Sequence, residues 1–229
     1  MKKYIWCEDT GSGYQFWKVL FKNLYPDIIV EAKHGNSQLI KNAGNINEDG
    51  NLYYIMMDTV PDNPDILREL KRLKKNISGK NNVKVIKLHS FEFALLSFEY
   101  LEKWIFAEHD ELKDKRKQKI TAKQKFVELM TTGGNIDELK AFKSVYSYES
   151  NTNSEKIAAR LLCDITRNTG FETNKSKIGS CFVCSCCEWD GKQDDDICGL
   201  ENSKLTLSEK MKQLVGCSVL HKSFEEAGL

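Results

Sequence analysis

Apolar positions in the first hundred residues change period in a regular way. KYIWC (3–7) reads as a short buried strand, and the turn-rich DTGSG follows it. Phe16, Trp17, Leu20, Phe21 and Leu24 recur at helical spacing until Pro26 stops the helix. IIVEA (28–32) is β-branched and strand-like; NSQLIKNAG reads as a short helix and NINEDGN as a turn. YYIMM (53–57) is the most apolar strand pattern. Asn63 then stands as an N-cap before Pro64, and Ile66, Leu67, Leu70 and Leu73 share one helical face that ends before Gly79. VKVIKL (83–88) is the next strand, and SFEFALLSFEYLEKWIF predicts one strongly apolar helix from Ser90.

Strands that alternate with helices imply a parallel sheet flanked by helices, because parallel neighbours need crossovers. The expected fold class is therefore α/β over residues 1–106, followed by a mainly helical, cysteine-containing region over 107–229. In that second region, 108–119 is so charged that it reads as an exposed linker or helix end. Thr121 and Gln124 resemble a capping box that opens a helix through Met130, and 137–150 is ambiguous. Ile157, Ala158, Leu161, Leu162 and Ile165 mark another helix, and a last one begins near Ser208.

Composition narrows the classes. Hydrophobic content of 41% and charged content of 29% are those of an ordinary globular chain, and a net charge of +1 gives no global basic field for nucleic acid. LKRLKK (70–75) and KDKRKQK (113–119) read as solvated helix faces. No apolar run approaches the ~18 residues of a membrane span, so a cytoplasmic protein without membrane contact is expected. Eight cysteines in that setting argue for thiols or metal ligands rather than disulfides.

Candidate chemistry gathers where strands should end. Glu8 follows the first strand, Asp58 and Asp62 follow the third, and Glu92 opens the helix after the fourth. Carboxylates at the carboxyl edge of a parallel sheet suit Mg²⁺ or Mn²⁺ and phosphodiester chemistry. Asp62 can equally favour the helix beginning at Pro64. Lys33, His34, Lys87 and His89 are candidate phosphate-steadying cations by position. In CFVCSCCEWDGKQDDDIC (181–198), Cys181, Cys184 and Cys187 have the two-residue spacing of a metal knuckle. Cys198 can close a structural zinc site, with Cys186, Cys217 or His221 as alternatives. An iron–sulfur cluster and uncomplexed thiols are the competing readings. Cys7 and Cys163 lie on apolar patterns and read as core.

The chain also resembles a TOPRIM domain of the kind found in OLD-type nucleases of phage defence. KYIWCEDTGSGYQFW is similar to the first family motif, with Glu8 at its glutamate. HGNSQLI is similar to the small glycine segment after the second strand, and YYIMMDTVPDNPDILREL to the segment with the Asp-x-Asp pair. The resemblance implies a metal-dependent nuclease with Glu8 as general acid or base or as a metal ligand, and Asp58 as principal metal ligand. It also implies nucleic acid as substrate and a separately encoded ATPase as partner. The chain departs from the pattern at Val60, which stands where the second Asp belongs, and at Asp9, where a glycine is frequent. Those departures leave a non-cleaving, TOPRIM-like binding module with a structural zinc as the alternative.

Overall fold

The computed structural model describes residues 1–106, 111–185, 198–200 and 205–229. Strand β1 (Lys3–Cys7) pairs with β2 (Ile28–Ala32) on one side and β3 (Leu52–Asp58) on the other. Strand β4 (Val83–Leu88) lies beyond β3, so the order is β2-β1-β3-β4. All pairs are parallel. The crossovers are helices α1 (Ser12–Leu24), α2 (Asn36–Gly44) and α3 (Pro64–Asn76). Alternation of side chains sorts the sheet into two buried faces. Ile5, Cys7, Tyr54, Met56, Ile86 and Leu88 pack in one cluster with Phe16, Trp17, Leu20 and Phe21 of α1. Ile55 and Met57 pack in the other with Leu39, Ile40 and Ala43 of α2 and Leu73 of α3. The path leaves β1 in one direction and returns across it to β3. The carboxyl ends of β1 and β3 are therefore the topological switch point, where an open α/β sheet forms its crevice.

The remaining helices cover the α1 face. They are α4 (Phe91–Leu96), α5 (Leu101–Ile105), α6 (Lys113–Thr131), α7 (Ile136–Val145), α8 (Ser154–Thr166), α9 (Ser180–Val183), α10 (Leu207–Gly216) and α11 (Leu220–Ala227). Helix α8 packs on α4 and α6, α10 on α1, and α11 on β4. Buried side chains from Ile5 to Ala227 form one cluster, so the segments on either side of residue 106 share a core.

Several helices differ from the sequence expectation for tertiary reasons. The single apolar helix expected over 90–106 is broken between α4 and α5. There Ser97 Oγ donates to Ala94 O at 2.8 Å and accepts from Val219 N at 3.2 Å, while Glu99 N donates to Cys217 O. Helix α6 starts within the charged run, so Thr121 is mid-helix, donating to Lys117 O instead of capping. Capping boxes form at Asn135/Glu138 and Thr206/Glu209. The ambiguous 137–150 stretch is thus largely α7, and the last expected helix opens at Thr206 and is followed by α11.

Arg116 explains why the charged run is helical and anchored. It is 1% exposed, and its guanidinium donates to Ile165 O at 2.7 Å and Arg167 O at 2.6 Å, where α8 ends. A cation on the last carbonyls of a helix offsets both their unmet hydrogen bonds and the negative end of the dipole. Arg116→Met should lower unfolding free energy by about 2–3 kcal/mol, because two carbonyls lose their donor. Urea denaturation followed by circular dichroism measures it, and an unchanged midpoint would contradict this role.

Candidate functional site

The loops at the switch point enclose a cleft of about 530 Å³. Glu8 enters from the end of β1, with Asp9 beside it, and Asp58 is the last residue of β3. Glu92 comes from the first turn of α4, which Ser90 caps by accepting from Phe93 N at 3.1 Å. Glu155 lies in the first turn of α8, and Lys175 comes from the turn before α9. The turn is pinned to the β1–α1 loop by Ser12 Oγ, which donates to Lys175 O at 3.2 Å. The second half of the chain thus completes a site whose first half sits on the sheet.

Helix starts face this cleft, and their partial positive charge favours anions there. Gly13, in the first turn of α1, leaves room for Asp9: a Cβ on it would lie 2.2 Å from Asp9 Oδ2. Thr59 holds the end of β3 to β4, with its N and Oγ donating to Leu88 O at 2.6 and 2.7 Å. Asp58 therefore sits at a fixed edge.

Charge in the cleft is unbalanced. Among the described residues, Glu8, Asp9, Asp58, Glu92 and Glu155 form no ion pair, and no other residue donates a hydrogen bond to their carboxylates. Burial, reinforced by Asp9 and Glu155, pushes Glu8 up to about 7. Burial raises Asp58 well above the ordinary carboxylate range, with Glu8 and Asp9 adding repulsion. Asp9 is raised by burial and Glu155; Glu92 is raised by burial, against a lowering influence from its own backbone N–H and Lys175.

Asp62 is placed differently from Glu8, Asp58 and Glu92. It does not line the cleft. Its carboxylate accepts from Ser154 N at 3.0 Å and Ser154 Oγ at 2.6 Å, and Lys143 Nζ lies 3.4 Å away. It holds the start of α8, and so the helix that presents Glu155, against the β3–α3 loop. His89 joins this network: Nε2 lies 2.8 Å from Ser154 Oγ and the ring packs 4.6 Å from Phe93. Burial pulls His89 down to about 4, so its imidazole is neutral at physiological pH. The other cation candidates also diverge. Lys33 pairs with Glu31 at 2.6 Å, Lys87 is exposed on β4, and His34 alone of the four lines the cleft.

Of the cysteine ligands expected for zinc, Cys187 lies outside the described residues, as does the alternative Cys186. Cys181 is buried in the core at α9 and Cys184 follows that helix. Cys198 packs against the same core. Lys210, fully buried, donates to Cys181 O at 2.8 Å and Cys184 O at 2.9 Å and so fixes the start of the segment. Cys7 is core, with its thiol pushed up to about 12 by burial, whereas Cys163 is only half-buried. Among the described residues, no group of three or more His, Cys, Asp or Glu side chains is already arranged around a metal position. No described helix is long and apolar enough to cross a membrane.

Comparison with protein-family models, curated proteins and solved structures gives no match. Asp9, Glu155 and Lys175 are cleft residues that the sequence reading did not select. Glu155 carried one signal, its place two residues after the N-cap Asn153; Lys175 carried none.

Two predictions follow from this charge distribution. Glu8 binds its proton more tightly folded than unfolded, so it lowers stability progressively as pH rises from its ordinary value of 4.5 to about 7. In chelator, Glu8→Gln should therefore gain stability over the parent as pH rises through that window, read from paired thermal melts; a constant difference would refute the assignment. Asp62→Ala leaves Ser154 N without its acceptor and Lys143 with Ser150 O alone, and should cost about 3 kcal/mol in urea denaturation. A loss below about 0.5 kcal/mol would show that the contact carries no structural weight.

Proposed function

We propose that the chain is a divalent-cation-dependent phosphodiesterase acting on nucleic acid. The observation that supports this reading is the set of five carboxylates at the switch point that have no ion pair among the described residues, with burial raising Asp58 well above the ordinary range. Partly buried carboxylates in such number favour either bound protons or a compensating cation. Their oxygens are the hard donors that Mg²⁺ and Mn²⁺ prefer. Asp58 and Glu92 would hold the ion, which when bound would supply Lewis acidity toward a phosphate oxygen. The TOPRIM-like positions of Glu8 and Asp58 favour the same chemistry.

The chain's own groups have separable roles in this reading. Glu8, titrating near 7, can accept a proton from an attacking water and return one to the departing oxygen at neutral pH. Lys175 supplies positive charge at the rim and draws the phosphate toward the acids. Asp62 and Ser154 act through Glu155 by fixing the start of α8.

A binding module that does not cleave is the second reading. It is favoured by Val60, which is fully buried where the family pair would place an acid, and by the open arrangement of the carboxylates.

Purified protein should cleave single-stranded DNA or RNA in Mg²⁺ or Mn²⁺ and be silenced by chelator. Glu8→Gln and Asp58→Asn should each lose about 100-fold or more in rate. Nucleic acid left intact by the parent chain in either ion would eliminate the hydrolase and leave the binding module.

A further inference from the structure

A second recess opens on the other side of the β2–α2 loop. It has a volume of about 420 Å³; Trp6, Tyr53, Lys33, Asn42, Asn45 and Asn47 line it together with Asp49, whose carboxylate accepts from the Tyr53 hydroxyl at 2.7 Å. Trp6 and Tyr53 form an aromatic wall, edge to face with centroids 5.1 Å apart, and Tyr4 stacks on Tyr53 at 5.1 Å. Helices α2 and α3 cover Ile55 and Met57 on this face, while Ile29 on the edge strand stays 45% exposed. The indole Nε1 of Trp6 is buried and has no acceptor among the described residues. Three asparagine side chains around an aromatic wall offer paired donors and acceptors beside a flat π-surface. Lys33 Nζ lies 3.9 Å from the centre of the Trp6 ring and pairs with Glu31 at 2.6 Å.

The recess and the cleft share one rigid loop. Lys33 lines the recess; His34 and Gly35 line the cleft. Lys33 N donates to Cys7 O at 2.8 Å and Gly35 N to Glu8 O at 2.9 Å, which binds the loop to the end of β1. Gly35 has φ 102°, a left-handed value that suits glycine and lets the chain turn between the two spaces. Residues 33 and 35 are separated by two Cα–Cα steps, at most about 7.6 Å.

We propose that this recess is a base-binding subsite for single-stranded nucleic acid, taking a nucleotide adjacent to the phosphate held in the cleft. The inference rests on the phosphodiesterase reading for the identity of the cleft's ligand. The aromatic wall offers a stacking surface to any base, and the asparagine amides pair with base edges. A base paired inside a duplex cannot leave its stack to enter the recess without a cost, so the site selects single strands.

The test measures anisotropy of a short labelled single strand with the full chain in chelator, so that binding is read without cleavage. Trp6→Leu and Asn45→Asp should each weaken binding by about tenfold. Asn45 is exposed, so its variant carries the test if Trp6→Leu unfolds by circular dichroism. Adenosine monophosphate should compete better than ribose phosphate. Failure of the parent chain to bind, equal binding by both variants, or equal competition by the two phosphates would overturn the subsite. Binding that depends on Trp6 without any cleavage in Mg²⁺ would retain the subsite and remove the hydrolase. Cleavage with binding indifferent to Trp6 and Asn45 would do the reverse.

Discussion

Asp58 cannot carry its charge beside Glu8, Asp9, Glu92 and Glu155 unless something positive arrives or protons stay bound. That constraint organises the surrounding structure. A parallel sheet puts strand ends and helix starts at one edge, so the N-terminal dipoles of the flanking helices face the acids they help to tolerate. Asp9 lies against the first turn of α1 where Gly13 leaves space, and Ser90 opens α4 so that Glu92 falls in its first turn. The residual imbalance leaves the cleft with more negative than positive side chains.

Asp62 shows how the same side chain can have an opposite fate a few residues away. It is fully engaged by Ser154 and Lys143, and its contribution is to hold α8 in place. Asp58 ends β3 and Asp62 follows it, yet among the described residues Asp58 has no hydrogen-bond donor or ion pair while Asp62 has several.

The sheet, its helices and the convergence of Glu8, Asp58 and Glu92 were legible because apolar period and strand ends are local properties. YYIMM ending in Asp58 and the Asn63-Pro64 cap needed no distant information. The burial of Arg116 was not legible, since its partners are carbonyls some fifty positions on, at Ile165 and Arg167. Lys175 was equally silent, because its place depends on the turn that Ser12 holds through a backbone carbonyl. The break at Ser97 depends on Val219 and Cys217 at the far end of the chain. Each miss is a residue whose role is set by a partner from another segment.

Glu155 and Lys175 reach the cleft only after the residues between them and the sheet have been laid down and α8 has docked on α4. During synthesis, the strands and the first acids leave the ribosome well before those two side chains exist. A nascent chain therefore presents an open, incomplete acidic edge, and the finished cleft appears late, when most of the core that supports it is available. The cleft is therefore complete only when segments more than a hundred positions apart in the chain have come together.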